Sequence, residues 1–255
     1  MAAAVNAADV GTATAGALFG VTRMLSRAVG AAALDASSGL ATVGEAAHAA
    51  MTGQRIGPAT LRVRVVILSD EQGVALTTAE RVDPSIDRAD EVLRAGAGIR
   101  VRLTGVDVVP EPAPLAALDP HANRRLLLDD VLGRTQFYRD HSSTAPVPAV
   151  SVGVPITVIV VRHIAGRITG CSLGISADWV VAQASLFEKD RADTYDDTVL
   201  AHELGHALNL PHHPDRENLM FASSSPPSEI RGTRLRAWQS AILHANRHVV
   251  PGVPQ

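Results

Sequence analysis

The chain has 255 residues, 46% of them hydrophobic and 19% charged, and its 23 basic and 26 acidic side chains give a net charge of -3. This composition is typical of a globular protein with one core, while the near-neutral charge and the aromatic content of 3% exclude a broad basic surface for a nucleic-acid partner. The single cysteine excludes an intrachain disulfide and a thiolate cluster, so any metal ligands have to be His, Asp or Glu.

Residues 1–58 form an amino-terminal segment in which Ala, Gly, Ser and Thr dominate. Side chains this small bury little area, so we expect one or two weak helices docked on the rest of the chain, or partial disorder. The segment would be a pro-segment or a tether, or alternatively an interaction segment. The first residues lack a basic region, and Arg23 and Arg27 interrupt the stretch that a signal peptide keeps apolar. A typical secretion signal is therefore not visible, and the sequence leaves the compartment unknown. Residues 59–255 are expected to form the main domain.

Four segments of the main domain are typical of strands. Residues 61–68 and 99–109 alternate and are rich in β-branched side chains, residues 156–161 are continuously apolar, and a short strand is expected near Trp179. The longest uncharged run, residues 142–161, contains three prolines, so it is predicted to be a loop that enters a strand. We therefore expect no integral membrane segment.

Helices are predicted between these strands. An Asp followed by a Pro is typical of a helix start, which places one helix from Asp83–Pro84 to a stop at Gly96 and Gly98 and a second helix over residues 119–131. The order strand, helix, strand, helix and then several strands predicts an α/β (α+β) fold, with a mixed twisted sheet and helices packed on it.

A further helix is predicted over residues 195–208, where apolar side chains recur at helical spacing. Thr194 and Asp197 fit a capping box at its start. Asn209 follows the last apolar residue, and Asn tolerates the left-handed conformation that ends many helices, while Pro211 prevents the helix from continuing. The chain is therefore expected to turn sharply at this point.

This predicted helix contains a motif with metal-ligand spacing. Residues four apart share a helix face, so His202 and His206 can bind one ion while Glu203 projects beside it. A catalytic zinc ion usually has three protein ligands and a water. The turn after the helix would bring His212 back toward the ion as the third ligand, and His213 is the alternative.

The stretch HELGHALNLPH, residues 202–212, resembles the extended zinc signature of the metzincin metallopeptidases, and residues 218–220 resemble their Met-turn. The resemblance implies a two-subdomain catalytic domain over residues 59–255, with an active-site helix and with Met220 beneath the metal. It also implies a carboxyl-terminal helix, which would span about residues 233–248 here.

The function that the resemblance implies is hydrolysis of peptide bonds. One Zn²⁺ held by His202, His206 and His212 would activate a water, with Glu203 as general base, so we expect a zinc-dependent endopeptidase that acts on a protein or peptide substrate. In the family the substrate lies as an extended strand along the edge of the sheet, which corresponds to residues 170–175. Family habit also implies a secreted or cell-envelope protein.

Several alternatives stay open. The chain could be a catalytically silent, zinc-containing binding module of the same fold, or a zinc peptidase of another HExxH group whose third ligand is a distant Glu. Met220 could be ordinary core packing, and Cys171 could be a small buried residue or a zinc ligand. The sequence also departs from the family: Asn209 replaces the usual Gly, and Ala222 takes the place of the Tyr ligand of the astacin and serralysin branches.

Overall fold

The computed structural model describes residues 33, 35–40, 44, 57–112, 136–142, 152–164, 170–172, 178–188, 195–223 and 229–252. The strands are β1 Ala59–Leu68, β2 Ile99–Val109, β3 Ile156–Val161, β4 Gly170–Ser172, β5 Trp179–Gln183 and β6 Val249–Val250. The helices are α1 Ala79–Ala97, α2 Gln136–Asp140, α3 Val199–Ala207 and α4 Ala237–Ala245, and a 3-10 helix covers Ala184–Phe187. The helix predicted over residues 119–131 lies outside the described residues.

The strands form one mixed sheet in the order β2-β1-β3-β5-β4. Strand β1 pairs in parallel with β2 and β3, and β3 pairs in parallel with β5. Strand β4 is antiparallel to β5 and stands last in this order, while β6 pairs antiparallel with the start of β1. A mixed sheet with packed helices confirms the predicted α/β class.

The parallel centre of the sheet is buried on both faces. Alternate side chains of each strand point to opposite sides, and a core cluster covers each side. On one face Val65 and Val158 belong to the larger core cluster, which also contains side chains of α1 and α3. On the other face Val66 packs with Tyr138 of α2, and the Tyr138 ring stacks on Trp179 with 5.1 Å between ring centroids. The sheet thus provides the rigid frame on which α3 lies.

The first helix ends at Gly98, the second of the two glycines predicted to stop it, and Gly96 lies inside the helix, while its start was predicted wrongly. α1 begins at Ala79, with Thr78 as the N-cap residue, and Pro84 lies inside the helix. Pro84 follows the first turn, where backbone N–H groups lack partners in any helix, so α1 continues through it without the hydrogen bond that residue 84 would otherwise donate to the carbonyl of Glu80. The Asp83–Pro84 pair therefore lies inside the helix and does not mark its start. Gly98 ends the helix with φ 68°, as a left-handed C-terminal glycine does.

The other two long helices are shorter than predicted. α3 begins at Val199 and not at residue 195. α4 covers Ala237–Ala245 and not residues 233–248, because the chain before it pairs with residues 217–219 through Arg234 and the chain after it forms β6. These bonds take backbone groups that a longer helix would need for itself.

The amino-terminal segment is described only in part. Its residues 35–40 are helical, in line with the expectation of a short helix. Within the described ranges, none of the helices has both the length and the apolar character that crossing a membrane requires.

Candidate metal centre

The HELGH motif lies on α3, which packs against the sheet through Val199, Leu200 and Leu204. Before the first turn, Asp196 Oδ1 accepts hydrogen bonds from the backbone N–H and the hydroxyl of Thr198, at 2.8 and 2.6 Å. The Asp196 carboxylate thereby satisfies a backbone donor at the start of the helix. Apolar burial and this polar start together fix the position of the motif.

Helix α3 ends in a tight turn at Asn209, as predicted. Asn209 has φ 73°, its N–H donates to His206 O at 2.9 Å, and the N–H of Leu210 donates to Gly205 O at 2.9 Å. These two bonds form a Schellman motif, which satisfies carbonyls at the end of a helix. The turn leads the chain back so that His212 faces the helix.

Three imidazoles meet beside this turn. One ring nitrogen from each of His202, His206 and His212 lies within 4.8 Å of the other two. The Nε2 atom of His206 is 3.1 Å from Nε2 of His202 and 3.1 Å from Nε2 of His212. Two nitrogens bound to one tetrahedral zinc ion lie about 3.3 Å apart, since each Zn–N bond is about 2.0–2.1 Å long. The spacing of the three nitrogens fits such an ion.

Hydrogen bonds define which ring nitrogens carry protons. Nδ1 of His202 lies 2.8 Å from the carbonyl oxygen of Leu219, and Nδ1 of His206 lies 2.8 Å from that of Leu210. A carbonyl only accepts, so both Nδ1 atoms donate, and in a neutral ring both Nε2 atoms then present lone pairs. Two lone pairs 3.1 Å apart repel each other unless a cation lies between them. The donor set therefore suits a metal ion.

Burial keeps these rings unprotonated. It lowers the pKa of His202 to about 2 and that of His206 to about 4, and it also lowers the pKa of His212. The positive charge of Arg231 contributes to the lowering of all three pKa values. Because a metal ion binds the neutral imidazole, the three rings are in the binding form at neutral pH.

Glu203 lies on α3 next to the first of these imidazoles and is only 8% exposed. Burial raises the pKa of Glu203 to about 7, and the charge of Arg231 acts in the opposite direction. A Cβ atom on Gly170 would lie 2.7 Å from Glu203 Cγ, so a residue larger than glycine does not fit there. Strand β4 therefore passes directly beside the carboxylate side chain.

Met220 lies under α3 and is 0% exposed. A Cβ atom on Gly205 would lie 2.6 Å from Met220 Sδ, so the thioether fills the space that this glycine leaves. The Met220 carbonyl accepts the N–H of His213 at 2.8 Å, and the preceding Leu219 carbonyl accepts the bond from His202. The turn thus contacts both the helix and the chain that carries the third imidazole. Its identification as a Met-turn stays a prediction.

A buried pair of amides anchors this turn to α4. Asn218 Nδ2 donates to Gln239 Oε1 at 2.7 Å, and Gln239 Nε2 donates to Asn218 Oδ1 at 3.1 Å. Asn218 Oδ1 also accepts the N–H of Met220 at 2.9 Å, and Gln239 Oε1 accepts that of Arg236 at 2.8 Å. Both amides are 0% exposed and find their partners inside the protein.

Arg231 is a buried cation near the site that no sequence pattern indicated. Its side chain is 7% exposed, and its Nε lies 3.5 Å from Oδ2 of Asp196, whose side chain is 2% exposed. Its Nη1 donates to the carbonyl of Phe221 at 3.3 Å. Arg231 therefore links the chain before α3 to the residue after Met220. Nothing in the spacing of the 22 arginines singles it out.

The structure brings His212, and not His213, to the other two imidazoles. His213 Nδ1 accepts the N–H of Asp215 at 3.1 Å, and its ring lies 6.3 Å from that of Trp238. No carboxylate among the described residues joins the three-imidazole group, as a distant Glu ligand would. The side chain of Cys171 lies outside the described residues.

No protein-family model matches the sequence, and no curated protein matches it. Solved structures that are similar include metalloproteinase-II from Bacteroides fragilis, with a TM-score of 0.44 and 14% identity over 76% of this chain and 55% of that one. Archaemetzincin from Methanopyrus kandleri has a TM-score of 0.43 and 18% identity over 72% of this chain and 93% of that one. A chain from a chaperone-substrate complex has a TM-score of 0.47 and 12% identity over 76% and 35%.

The chain therefore spans about half the length of the Bacteroides fragilis protein. All three TM-scores lie below 0.5, so the function proposed below rests on the side chains of this chain and not on these likenesses. The resemblance of residues 202–212 to the metzincin signature stays a prediction.

Proposed function

We propose that the chain is a zinc-dependent endopeptidase of metzincin type, with Glu203 as general base. The observation that supports this best is the group of three neutral imidazoles beside a buried carboxylate. His202, His206 and His212 offer three nitrogen ligands, the number that a catalytic zinc ion takes from a protein while one position stays open. A structural zinc site would need a fourth protein ligand, and the described residues do not supply one.

A zinc ion bound there supplies a Lewis acid that lowers the pKa of a water and polarises a peptide carbonyl. The protein orients the ligands. The Nδ1–H groups of His202 and His206 donate to the carbonyls of Leu219 and Leu210, and these bonds hold the ring planes so that the Nε2 atoms converge. Met220 fills the space beneath α3 and keeps the turn at a constant distance from the helix.

Glu203 moves the proton in this proposal. As the oxygen of the attacking water bonds to the carbonyl carbon, a Glu203 carboxylate oxygen takes one proton from that water. The same oxygen then gives the proton to the amine nitrogen as the C–N bond breaks. The products are a carboxylic acid and an amine, and no covalent bond to the protein forms.

The proposed substrate is a peptide bound in extended form. Strand β4 stands last in the order of the described strands, and its Gly170 packs directly on Glu203. A peptide that pairs with the outer edge of β4 extends the sheet and passes the carboxylate. Residues 173–175 of the predicted pairing stretch lie outside the described residues.

Cleavage of a mixed peptide library by the zinc-loaded protein tests the proposal. Wild type is compared with Glu203→Gln and with the control Glu217→Gln, which removes a charge from an exposed residue near the site. Products are identified by mass spectrometry, and the zinc content of each protein is measured. We expect wild type and Glu217→Gln to cut at internal bonds, and Glu203→Gln to be at least about 100-fold slower with its zinc retained.

Three other outcomes would overturn parts of the proposal. If Glu203→Gln cuts as fast as wild type, Glu203 is not the general base. If the wild type holds zinc but cuts no peptide, the chain is a zinc-containing binding module. If the cuts occur only at peptide ends, the chain is an exopeptidase.

A further inference from the structure

Asp35, in the amino-terminal segment, contacts the turn that ends α3. Its Oδ2 accepts a hydrogen bond from Asn209 Nδ2 at 2.8 Å, and its Oδ1 accepts the backbone N–H of Arg247 at 2.8 Å. The Arg247 guanidinium lies 3.5 Å from the same Oδ1, and the Asp35 side chain is 15% exposed. One carboxylate thus joins residues that lie 174 and 212 positions away along the chain.

Asn209 has a backbone conformation that glycine adopts with less strain, with φ 73°. Asn is the usual substitute for glycine in this conformation, and here its amide also donates a hydrogen bond to the charged acceptor Asp35. Asn209 lies between His206 and His212, and the carbonyl of the next residue, Leu210, accepts the Nδ1–H of His206. A shift of Asn209 would therefore move two of the three imidazoles.

The amino-terminal segment is also seated against the end of α4. Residues 35–40 are helical, and Ser38 is 6% exposed. A Cβ atom on Gly39 would lie 3.1 Å from the Cβ of Ala245, so the small side chains allow a close approach of the two backbones. This packing places Asp35 next to Arg247 and Asn209.

We propose that Asp35 is a positioning residue of the metal centre. Through its bond to Asn209 it holds the turn that presents His206 and His212. Residues 35–40 therefore contribute to the metal centre and are not a tether that can be removed without effect. The inference rests on the metal site proposed above. We expect Asp35 to act on the metal centre through Asn209: without the carboxylate the Asn209 side chain loses a charged acceptor, and the ion is held less tightly.

Metal binding by the full chain tests this role. Zinc affinity is measured by competition with a chelator, and the visible absorption bands of bound Co²⁺ report the ligand geometry. We expect Asp35→Ala to bind zinc about 10-fold more weakly and to change the intensity of the cobalt bands. The control Asp87→Ala removes the same charge from an exposed position of α1 and should change neither measurement.

A reciprocal exchange separates positioning from a general loss of structure. Asn209→Asp alone makes two carboxylates face each other and should weaken zinc binding. Combined with Asp35→Asn, it restores a bond between an amide and a carboxylate with the donor and acceptor exchanged. The double variant should then regain the wild-type affinity and cobalt spectrum, which independent substitutions would not do.

Each result assigns the failure to one step. If the wild type binds neither zinc nor cobalt, the proposed metal site is wrong. If the wild type binds both metals and Asp35→Ala binds them equally well with the same spectrum, the site stands and the positioning role is wrong. If Asp35→Ala weakens binding but the reciprocal exchange does not recover it, the effect does not pass through Asn209, and the proposal is overturned.

Discussion

In β3, all six side chains of Ile156–Val161 are buried and five of them are apolar, whereas the equally buried turn at residues 218–220 depends on hydrogen bonds. Asn218 bonds to Gln239, and the carbonyl of Leu219 accepts a hydrogen bond from His202 Nδ1. Apolar packing has no preferred direction and tolerates small changes of shape, while a hydrogen bond has a defined angle. The sheet therefore provides rigidity, and the polar turn sets the direction of the ligands.

The largest effect on this polar region is expected for Asn218→Ala. The substitution removes the acceptor of two buried donors, the Nε2 group of Gln239 and the backbone N–H of Met220, which costs about 1–3 kcal/mol of unfolding free energy. Because the neighbouring carbonyl orients His202, zinc affinity should also fall by about 10-fold to 100-fold. Urea unfolding measures the first quantity, and competition with a chelator measures the second.

The matched change in the sheet is Ile159→Val, which removes one methylene from a residue that is 0% exposed. We expect it to cost about 0.5–1.5 kcal/mol of unfolding free energy and to leave zinc affinity unchanged. If Ile159→Val weakened zinc binding as much as Asn218→Ala, the distinction between the two regions would be wrong.

An effect smaller than that of Asn218→Ala is expected for Gly205→Ala, where apolar packing and the metal centre meet. Alanine favours a helix by about 1 kcal/mol over glycine, but its Cβ would lie 2.6 Å from Met220 Sδ, and overpacking costs about 1–3 kcal/mol. The net loss of unfolding free energy should therefore be up to about 2 kcal/mol. Met220→Ala removes this contact. The double variant should therefore lose less unfolding free energy than the sum of the losses of the two single variants. Strict additivity would contradict this account.

The smallest effect on zinc affinity is expected for Asp178→Asn, just before β5, and its effect on stability should depend on pH. Burial alone would raise the pKa of Asp178, but the bonds to His248 and the charge of Arg247 outweigh it, so the pKa is lowered. Such a carboxylate stabilises the fold above its unfolded pKa of about 3.9 and loses this contribution as the pH falls through the folded pKa.

The stability difference between wild type and Asp178→Asn should therefore be full at pH 7 and should shrink below about pH 4. Urea unfolding at a series of pH values measures it. A difference that grows as the pH falls would show that the ionised Asp178 does not contribute to stability.

The strands of the sheet could be predicted from local sequence patterns. Residues 99–109 and 156–161 were predicted as strands with the observed bounds, because β-branched and continuous apolar runs are local signals. The three imidazoles could be identified for the same reason, since His202 and His206 share one helix face and His212 follows one turn later. In each case the signal lies within a short stretch of chain.

The polar contacts could not be predicted, because they join distant parts of the chain. The pair Asn218 and Gln239 comes from two separate elements, and no periodicity marks either residue. The same holds for Arg231 and Asp196. The start of α3 was predicted wrongly because Thr194 has the spacing of a capping residue, while the helix begins after residue 198.

The central claim is that His202, His206 and His212 bind one zinc ion. Zinc content and affinity of wild type, His212→Ala and His213→Ala test it most directly, because His212 faces the other two imidazoles and the neighbouring His213 does not. We predict one zinc per chain in wild type and in His213→Ala, and binding weaker by more than about 100-fold in His212→Ala, since loss of a ligand exceeds the effect of a supporting residue. Equal zinc binding by His212→Ala and wild type would contradict the claim.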